Sequence, residues 1–335
     1  MRKVIFAVLI MVTCVAKGQT GVTEESASYY LPKTALRFAL QIEKNAYTPG
    51  RFQKYTSKYY GVIPRSSKEV TYSIVNLGLE TIGIPDSTQL FTIQLRGKSK
   101  GANIRLSDQG QLLAINAEPR VVKLRPPFQP APKVKPMRTK YDNLKSSSEE
   151  TEQQMANEAI ERIMVVQEKI SKLKLGEEVE LEPGETLEKL KKEDKALTAL
   201  FFGTEVMDTT EQVVVIIPEK EVNRQVMFRL NPTNGKVSTT ATTGVPYFLT
   251  IEDAHSYPKP RYELPDNKKE GCVYTRVPGK IKVTIHREDT FMGSFDIYAA
   301  QFGFIDELAG TLFKNYRVEM ILSPIVGYQE KISYQ

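Results

Sequence analysis

Few residues in this 335-residue chain carry obvious chemistry. It has two histidines, His255 and His286. The segment Glu252-Asp253-Ala254-His255 offers carboxylates and an imidazole to a metal, but neighbours in one short stretch rarely converge on one ion without distant ligands. His286 alternates with Val283 and Ile285, which puts it on the polar face of a strand. Cys272 and His286 form a conceivable nucleophile pair, yet nothing near Cys272 supplies the cationic setting of an activated thiolate. A small core residue is the better reading. The chain has no glycine-rich phosphate loop, nucleophile elbow or pair of histidines at helical spacing. Carboxylates are abundant, and a glycosidase-type pair leaves no mark in sequence spacing, so glycan hydrolysis stays open as the alternative. Tryptophan is absent, which weakens sugar stacking, although Tyr and Phe can substitute. The candidates that remain are contact residues: Tyr29, Tyr30, Lys33, Tyr59 and Tyr60 near the start, and Met155 and Ala159 on a predicted helix. No catalytic residue, metal or cofactor is assigned.

These residues need a compartment and a scaffold. Arg2 and Lys3 precede an apolar run from Val4 to Val15, too short to span a bilayer comfortably. Ala16 and Gly18 then set the small-residue spacing of a signal-peptidase site, with a mature start at Gln19. Lipidation at Cys14 is the weaker reading, since Thr13 stands where a smaller residue is wanted. No later run has the length and apolarity of a transmembrane helix. The reading is an exported protein, periplasmic or associated with the outer membrane. Removing Arg2, Lys3 and Lys17 lowers the formal charge of +6 by three. That excess is too small and scattered for nucleic acid. Cys272 is then alone, so a core rather than a disulfide must hold the fold.

Apolar side chains at Leu36, Phe38, Leu40 and Ile42 alternate with polar ones, the period of a half-buried strand. Val70–Val75, Gln89–Leu95, Ile104–Leu106 and Gln111–Ile115 read as further strands. Three hairpins are predicted, at "RLSDQGQLLAI", "RLNPTNGKVST" and "ILSPIVGYQEKIS", each with a polar turn closed by glycine. Residues 119–146 are rich in proline and basic residues and read as an extended linker. Its cations can alternatively hold an acidic partner or lipopolysaccharide phosphates. Ser147 with Glu150 suggests a capping box. Met155, Ala159, Ile163, Val166, Ile170 and Leu173 make one apolar stripe ending at Gly176. A shorter helix through Leu187, Leu190, Leu197, Leu200 and Phe201 completes a helical hairpin at 147–203. "VVVII", residues 213–217, looks like a strand buried on both faces. The organisation is a leader at 1–18, a β-rich region at 19–118, the linker, the hairpin, and a second β-rich region at 204–335. The fold class is α+β, predominantly antiparallel β in sandwich-like sheets with an inserted helical hairpin.

Several short motifs recur in a specific order: Tyr30-Leu31-Pro32-Lys33-Thr34, then Tyr47, Pro49-Gly50, Phe52, Tyr55, Tyr59 and Gly61. "ALTALFFG", "RVPG" (276–279), "AQFG" (300–303) and Leu312-Phe313 follow. Together they resemble an exported family of Bacteroides-type bacteria, the domain of unknown function numbered four-eight-three-one, over nearly the whole mature chain. The resemblance implies an envelope location and a shared architecture, and it implies no activity. Lys33 and Gln301 are its polar residues of interest, with packing at strand ends as their expected role. The functional expectation is a non-enzymatic envelope protein, a β-rich scaffold or binding module whose hairpin contacts an envelope protein or a glycan. Mass spectrometry of the mature protein is expected to find Gln19 as its first residue. A lipid-modified Cys14 would overturn that reading.

Overall fold

The computed structural model describes residues 26–94, 102–122, 125–132, 137–143, 148–181, 184–256 and 271–334. The leader and Cys14 lie outside these residues.

One long strand organises the β structure. β1 (Ser26–Thr48) sits at the centre of a three-stranded sheet between β2 (Glu69–Gln94) and β5 (Thr204–Ile216), antiparallel to both. A five-stranded sheet runs β10 (Thr290–Leu308), β9 (Val273–Arg287), β8 (Val245–Asp253), β6 (Val222–Asn231) and β7 (Gly235–Val237). A four-stranded sheet runs β12 (Gln329–Tyr334), β11 (Val318–Leu322), β4 (Leu112–Ile115) and β3 (Ile104–Leu106). The described pairings between named strands are antiparallel, and the fold is α+β with β dominant.

The two ends of β1 serve two cores. Its second half turns Leu36, Phe38, Leu40 and Ile42 inward, where they meet Phe228, Leu249, Ile251, Ile281, Val283 and Ile285 of the five-stranded sheet. Two sheets burying alternate side chains against each other make a sandwich. Its first half puts Ala27, Tyr29 and Leu31 into another core with Ile104, Leu112, Ile115, Met320, Leu322 and Val273. The three expected hairpins are present as β3–β4, β6–β7 and β11–β12.

Several expectations change. Val70–Val75 and Gln89–Gln94 belong to the single strand β2, because β1 is long enough to template both; Leu95 lies outside the described residues. "VVVII" is not buried on both faces. β5 is an edge strand, so Val213 and Val215 point away from the sandwich and stay exposed while Val214 and Ile216 pack inward. The linker is anchored at two points. Arg125 crosses the outer face of the sheet between Glu80 of β2 and Glu211 of β5, at 3.7 and 3.5 Å. Tyr141 is buried edge-on against Phe52 with ring centroids 5.8 Å apart.

The helical hairpin follows its sequence signals closely. α1 (Thr56–Tyr60) is a single turn after β1; α2 (Glu149–Leu175) and α3 (Leu187–Phe202) form the hairpin. Ser148 caps α2, its hydroxyl accepting from the amide of Thr151 at 3.2 Å. The cap is thus one residue later than expected, and Ser147 lies outside the described residues. Gly176 ends α2 in the left-handed conformation, φ 76°, where glycine carries no Cβ penalty. The basal half of the hairpin packs Ala156, Ala159, Ile163, Leu197, Leu200 and Phe201 against Phe52, Tyr55 and Tyr141. The distal half is a separate small cluster of Val166, Ile170 and Leu190, flanked by Leu173 and Leu187, formed by the helices alone.

Phe201 is the centre of the basal cluster, fully buried with Phe52, Tyr59 and Tyr60 rings at 5.6, 6.0 and 5.7 Å. Phe201→Ala is expected to cost about 3–5 kcal/mol in urea-unfolding measurements, as for other buried Phe truncations.

Candidate functional site

Three of the family-like motifs, those of Lys33-Thr34, Arg276 and Gln301, meet where the three sheets join, while Phe52, Tyr55, Tyr59 and the ALTALFFG segment gather in the basal cluster. β5 leaves β1 after Ile216, whose partner is Leu36. That exposes the backbone edge of β1 at Thr34, and a buried unpaired peptide group is costly. Gln301 takes the place of the departed strand. Its Oε1 accepts from the Thr34 amide at 2.9 Å, and its Nε2 donates to the Thr34 carbonyl at 2.9 Å and to the Pro218 carbonyl at 2.7 Å. The side-chain amide behaves as one peptide unit of a missing strand. Thr34 adds a second tie, for its hydroxyl accepts from the Ala300 amide at 2.9 Å and donates to the Ile325 carbonyl at 3.2 Å.

Two β-bulges make this possible. In β10 the register slips between Ala299 and Phe304, so Ala300–Gly303 loops out toward β1. In β2 it slips opposite Tyr30 and Pro32, displacing Asp86–Gln89. Gly303 lets the first bulge fold flat on β9, since a Cβ there would stand 1.7 Å from the Val277 carbonyl oxygen. Gly83 of β2 does the same for the β11–β12 turn, with the Pro324 oxygen 1.9 Å from an added Cβ.

The second bulge supplies the charge. Asp86 is 3 % exposed. Thr88 donates to it from both amide and hydroxyl, at 3.1 and 2.7 Å. Arg276 of β9, 7 % exposed, reaches it at 3.1 Å. Lys33 reaches it at 3.4 Å and also meets Glu219 at 3.0 Å. Two cations and two carboxylates therefore neutralise one another. Burial pushes the Asp86 carboxyl up, but Thr88 and Lys33 outweigh it and hold the group below the usual carboxylate range. The Glu219 hydrogen bond, opposed by burial, holds Lys33 above its ordinary value. These groups are matched to one another. The arrangement clamps strands, and the lowered Asp86 carboxyl is not poised as a general acid.

Beside the β10 bulge lies a shallow cavity of about 240 Å³ lined by Asp253, His255, Ser256, Gly279 and Phe302–Phe304. His255 meets Asp253 at 3.3 Å with its ring largely exposed. Among the described residues no group of three or more His, Cys, Asp or Glu is arranged to hold a metal ion.

Most of the contact residues singled out in the sequence are interior. Tyr29 is fully buried, its hydroxyl donating to the Tyr274 carbonyl at 2.9 Å and accepting from the Tyr274 amide at 2.7 Å. It anchors β1 on β9, and burial pushes its phenol well above the ordinary range. Tyr30 is half-buried under the β3–β4 turn, where its amide donates to Gly110 at 2.9 Å. Lys33 belongs to the ion cluster. Tyr59, Tyr60, Met155 and Ala159 are brought together, but as parts of the core around Phe201; Ala159 is fully buried. Tyr29 and Ala159 are therefore not surface contacts, because packing against apolar neighbours uses them completely. Cys272 is buried, 2 % exposed. Asp86, Thr34 and Arg276 were missed as a group. The signal that could have found Asp86 is "PDST", a proline followed by an Asp that can accept from the residue two places on.

A family model described as "Domain of unknown function (DUF4831)" matches residues 25–329. No curated protein and no solved structure matches the chain. With the match covering most of its length, the chain belongs to the DUF4831 family.

Because the folded pKa of Asp86 is depressed, its contribution is present above the unfolded value near 4 and is lost as pH falls through the folded one. Asp86→Asn is expected to cost about 3–5 kcal/mol at pH 7, by leaving Arg276 without its carboxylate. The gap from wild type should narrow as pH falls below ~4, as read by urea unfolding at pH 7 and pH 3. A gap unchanged at pH 3 would refute the charge role.

Proposed function

We propose that this DUF4831 member is a non-enzymatic exported protein of the cell envelope, a β-rich scaffold whose helical hairpin meets an envelope partner. The observation that carries this reading is the fate of the motif side chains. Thr34 and Gln301 hydrogen-bond between β1 and β10, and Lys33 and Arg276 both ion-pair with Asp86 of β2, across the meeting of the sheets. Residues spent on holding a framework suit a protein whose work is presentation. The charged, short apolar leader supports export, to the periplasm or the outer membrane.

The hairpin supports the contact role, with a change from the sequence expectation. Its basal end, with Met155 and Ala159, is covered by the loop after β1. Its distal half extends beyond that cover as a two-helix arm. Along α2, Met164, Val165 and Leu175 are exposed, Leu175 at 72 %. Arg162 binds Glu193 through two nitrogens at 2.7 and 3.1 Å, and Lys169 binds Glu185 at 2.9 Å. These half-buried pairs fix α2 against α3 and the turn that precedes it, so the arm can be presented as a rigid body.

The test is a double substitution, Met164→Glu with Leu175→Glu, on the exposed face of α2. Circular dichroism and thermal unfolding should match wild type, since both side chains are exposed. Co-purification of partners from native envelopes should fall about tenfold or more, the loss expected when central apolar contacts are replaced by charge. A folded variant that retains the wild-type partners would reject the hairpin as the contact.

A further inference from the structure

The loop joining α1 to β2, "GVIPR" at 61–65, carries the most exposed aliphatic side chain described in the protein. Ile63 is 93 % exposed and its neighbour Val62 is 47 % exposed. Isolated exposed aliphatics are ordinary, but this pair crowns a stem held from both sides. On the entering side, Gly61 closes α1 with φ 68° and donates to the Ser57 carbonyl at 3.0 Å. Tyr59 bonds Asn157 of α2, and Tyr60 packs edge-on against Phe202 at 4.8 Å. On the leaving side, the Tyr47 hydroxyl donates to the Arg65 carbonyl at 2.8 Å, and the Arg65 guanidinium lies 4.0 Å from the Tyr47 ring centre. Arg65 also binds Glu205. A Cβ added at Gly61 would meet nothing within 4 Å, so the tip stands in open space.

Among the charges beside the tip, cations outnumber carboxylates. Lys58 and Lys68 flank it and are exposed, while the cation of Arg65 is already matched by Glu205 and Glu69. We propose that this tip is a membrane-surface anchor: Val62 and Ile63 enter the boundary between headgroups and acyl chains of a bilayer containing anionic phospholipid, with Lys58 and Lys68 on the headgroups. The chemistry favours lipid over a protein pocket. A convex aliphatic point with an excess of basic residues around it is the shape and charge that insertion into an anionic leaflet rewards. The rigid stem holds the point extended before contact, which lowers the ordering cost of binding. This anchor does not depend on the hairpin and leaves the α2 face free.

The experiment uses the mature chain with extruded vesicles of phosphatidylcholine, with and without phosphatidylglycerol, in a flotation assay. Wild type should float with the phosphatidylglycerol vesicles and release as salt is raised. Val62→Asp with Ile63→Asp should weaken binding at least ~10-fold. Lys58→Glu with Lys68→Glu should weaken it by about as much, and only on the anionic vesicles. All four positions are exposed, and unchanged thermal unfolding will confirm that the variants are folded. Absence of wild-type binding to anionic vesicles, or Asp variants that float like wild type, would overturn the proposal.

Discussion

The bond pair between the Gln301 side chain and the backbone of Thr34 is the constraint on which the architecture turns. A central strand needs partners along both edges, and β1 is longer than β5 by many residues. Where β5 departs, the exposed amide and carbonyl of Thr34 would be stranded in the interior. A glutamine side chain repeats the donor and acceptor of a peptide group, so one residue from β10 completes the ladder. Because the same amide also holds Pro218, the route of the chain after β5 is fixed by the same group. The two strands thus joined belong to different sheets, which converts a sandwich contact into a defined seam.

The bulges and the glycines follow from that seam. For Gln301 to reach β1, β10 must leave the plane of its own sheet, and Ala300–Gly303 does so by looping out of register. A loop laid directly on β9 needs backbone-to-backbone approach, which a Cβ at Gly303 would prevent. On the other side of Thr34, β2 bulges at Asp86, and the displaced carboxylate meets Arg276 and Lys33. A buried charge pair of this kind adds little net stability over well-packed apolar residues. The better-attested use of such a pair is to specify register, and Arg276 meets Asp86 at 3.1 Å in the alignment adopted. The β11–β12 turn then closes over the junction through Ile325 and Gly327, the latter accepting from the Arg276 amide at 3.0 Å. Three sheets are thereby tied to a handful of residues.

Local patterns were legible and their long-range consequences were not. The alternation at Leu36–Ile42 identified the strand and its buried face, because period-two patterning is written in adjacent residues. Hairpin turns and the two helices were readable for the same reason, down to Gly176. The β5 error shows the limit: Val213–Ile217 has the composition of an interior strand, yet edge position is decided by strands elsewhere in the chain. Tyrosines were read as contacts able to stack on a ligand in place of the absent tryptophan, while Tyr29 satisfies its hydroxyl on the Tyr274 backbone and vanishes into the core. Lys33 and Gln301 were noticed with packing at strand ends as their expected role; both instead lie inside the long strands β1 and β10, Lys33 in ion pairs and Gln301 bonded to Thr34 and Pro218. Asp86 and Arg276 are separated by 190 positions, and no spacing rule connects such a pair.

The distribution of order over the molecule bears on how it can work. Polar side chains that carry the family-like motifs are concentrated at the seam and are matched there by hydrogen bonds and opposite charges. Two of the surfaces with apolar exposure are projections: the distal half of the hairpin and the tip after α1. Both spring from the basal cluster around Phe201, which also packs Phe52 and Tyr55 from the segment directly after β1. That segment continues into α1 and the tip, so one aromatic core fixes the bases of both projections. β1 ends at Thr48 in the same place, and Gly203 allows α3 to turn into β5 against the Thr48 carbonyl, 2.5 Å from where a Cβ would stand. A bonded seam toward one end of β1 and an aromatic base at the other leave the projections oriented by the framework, as the presenting role proposed above would require.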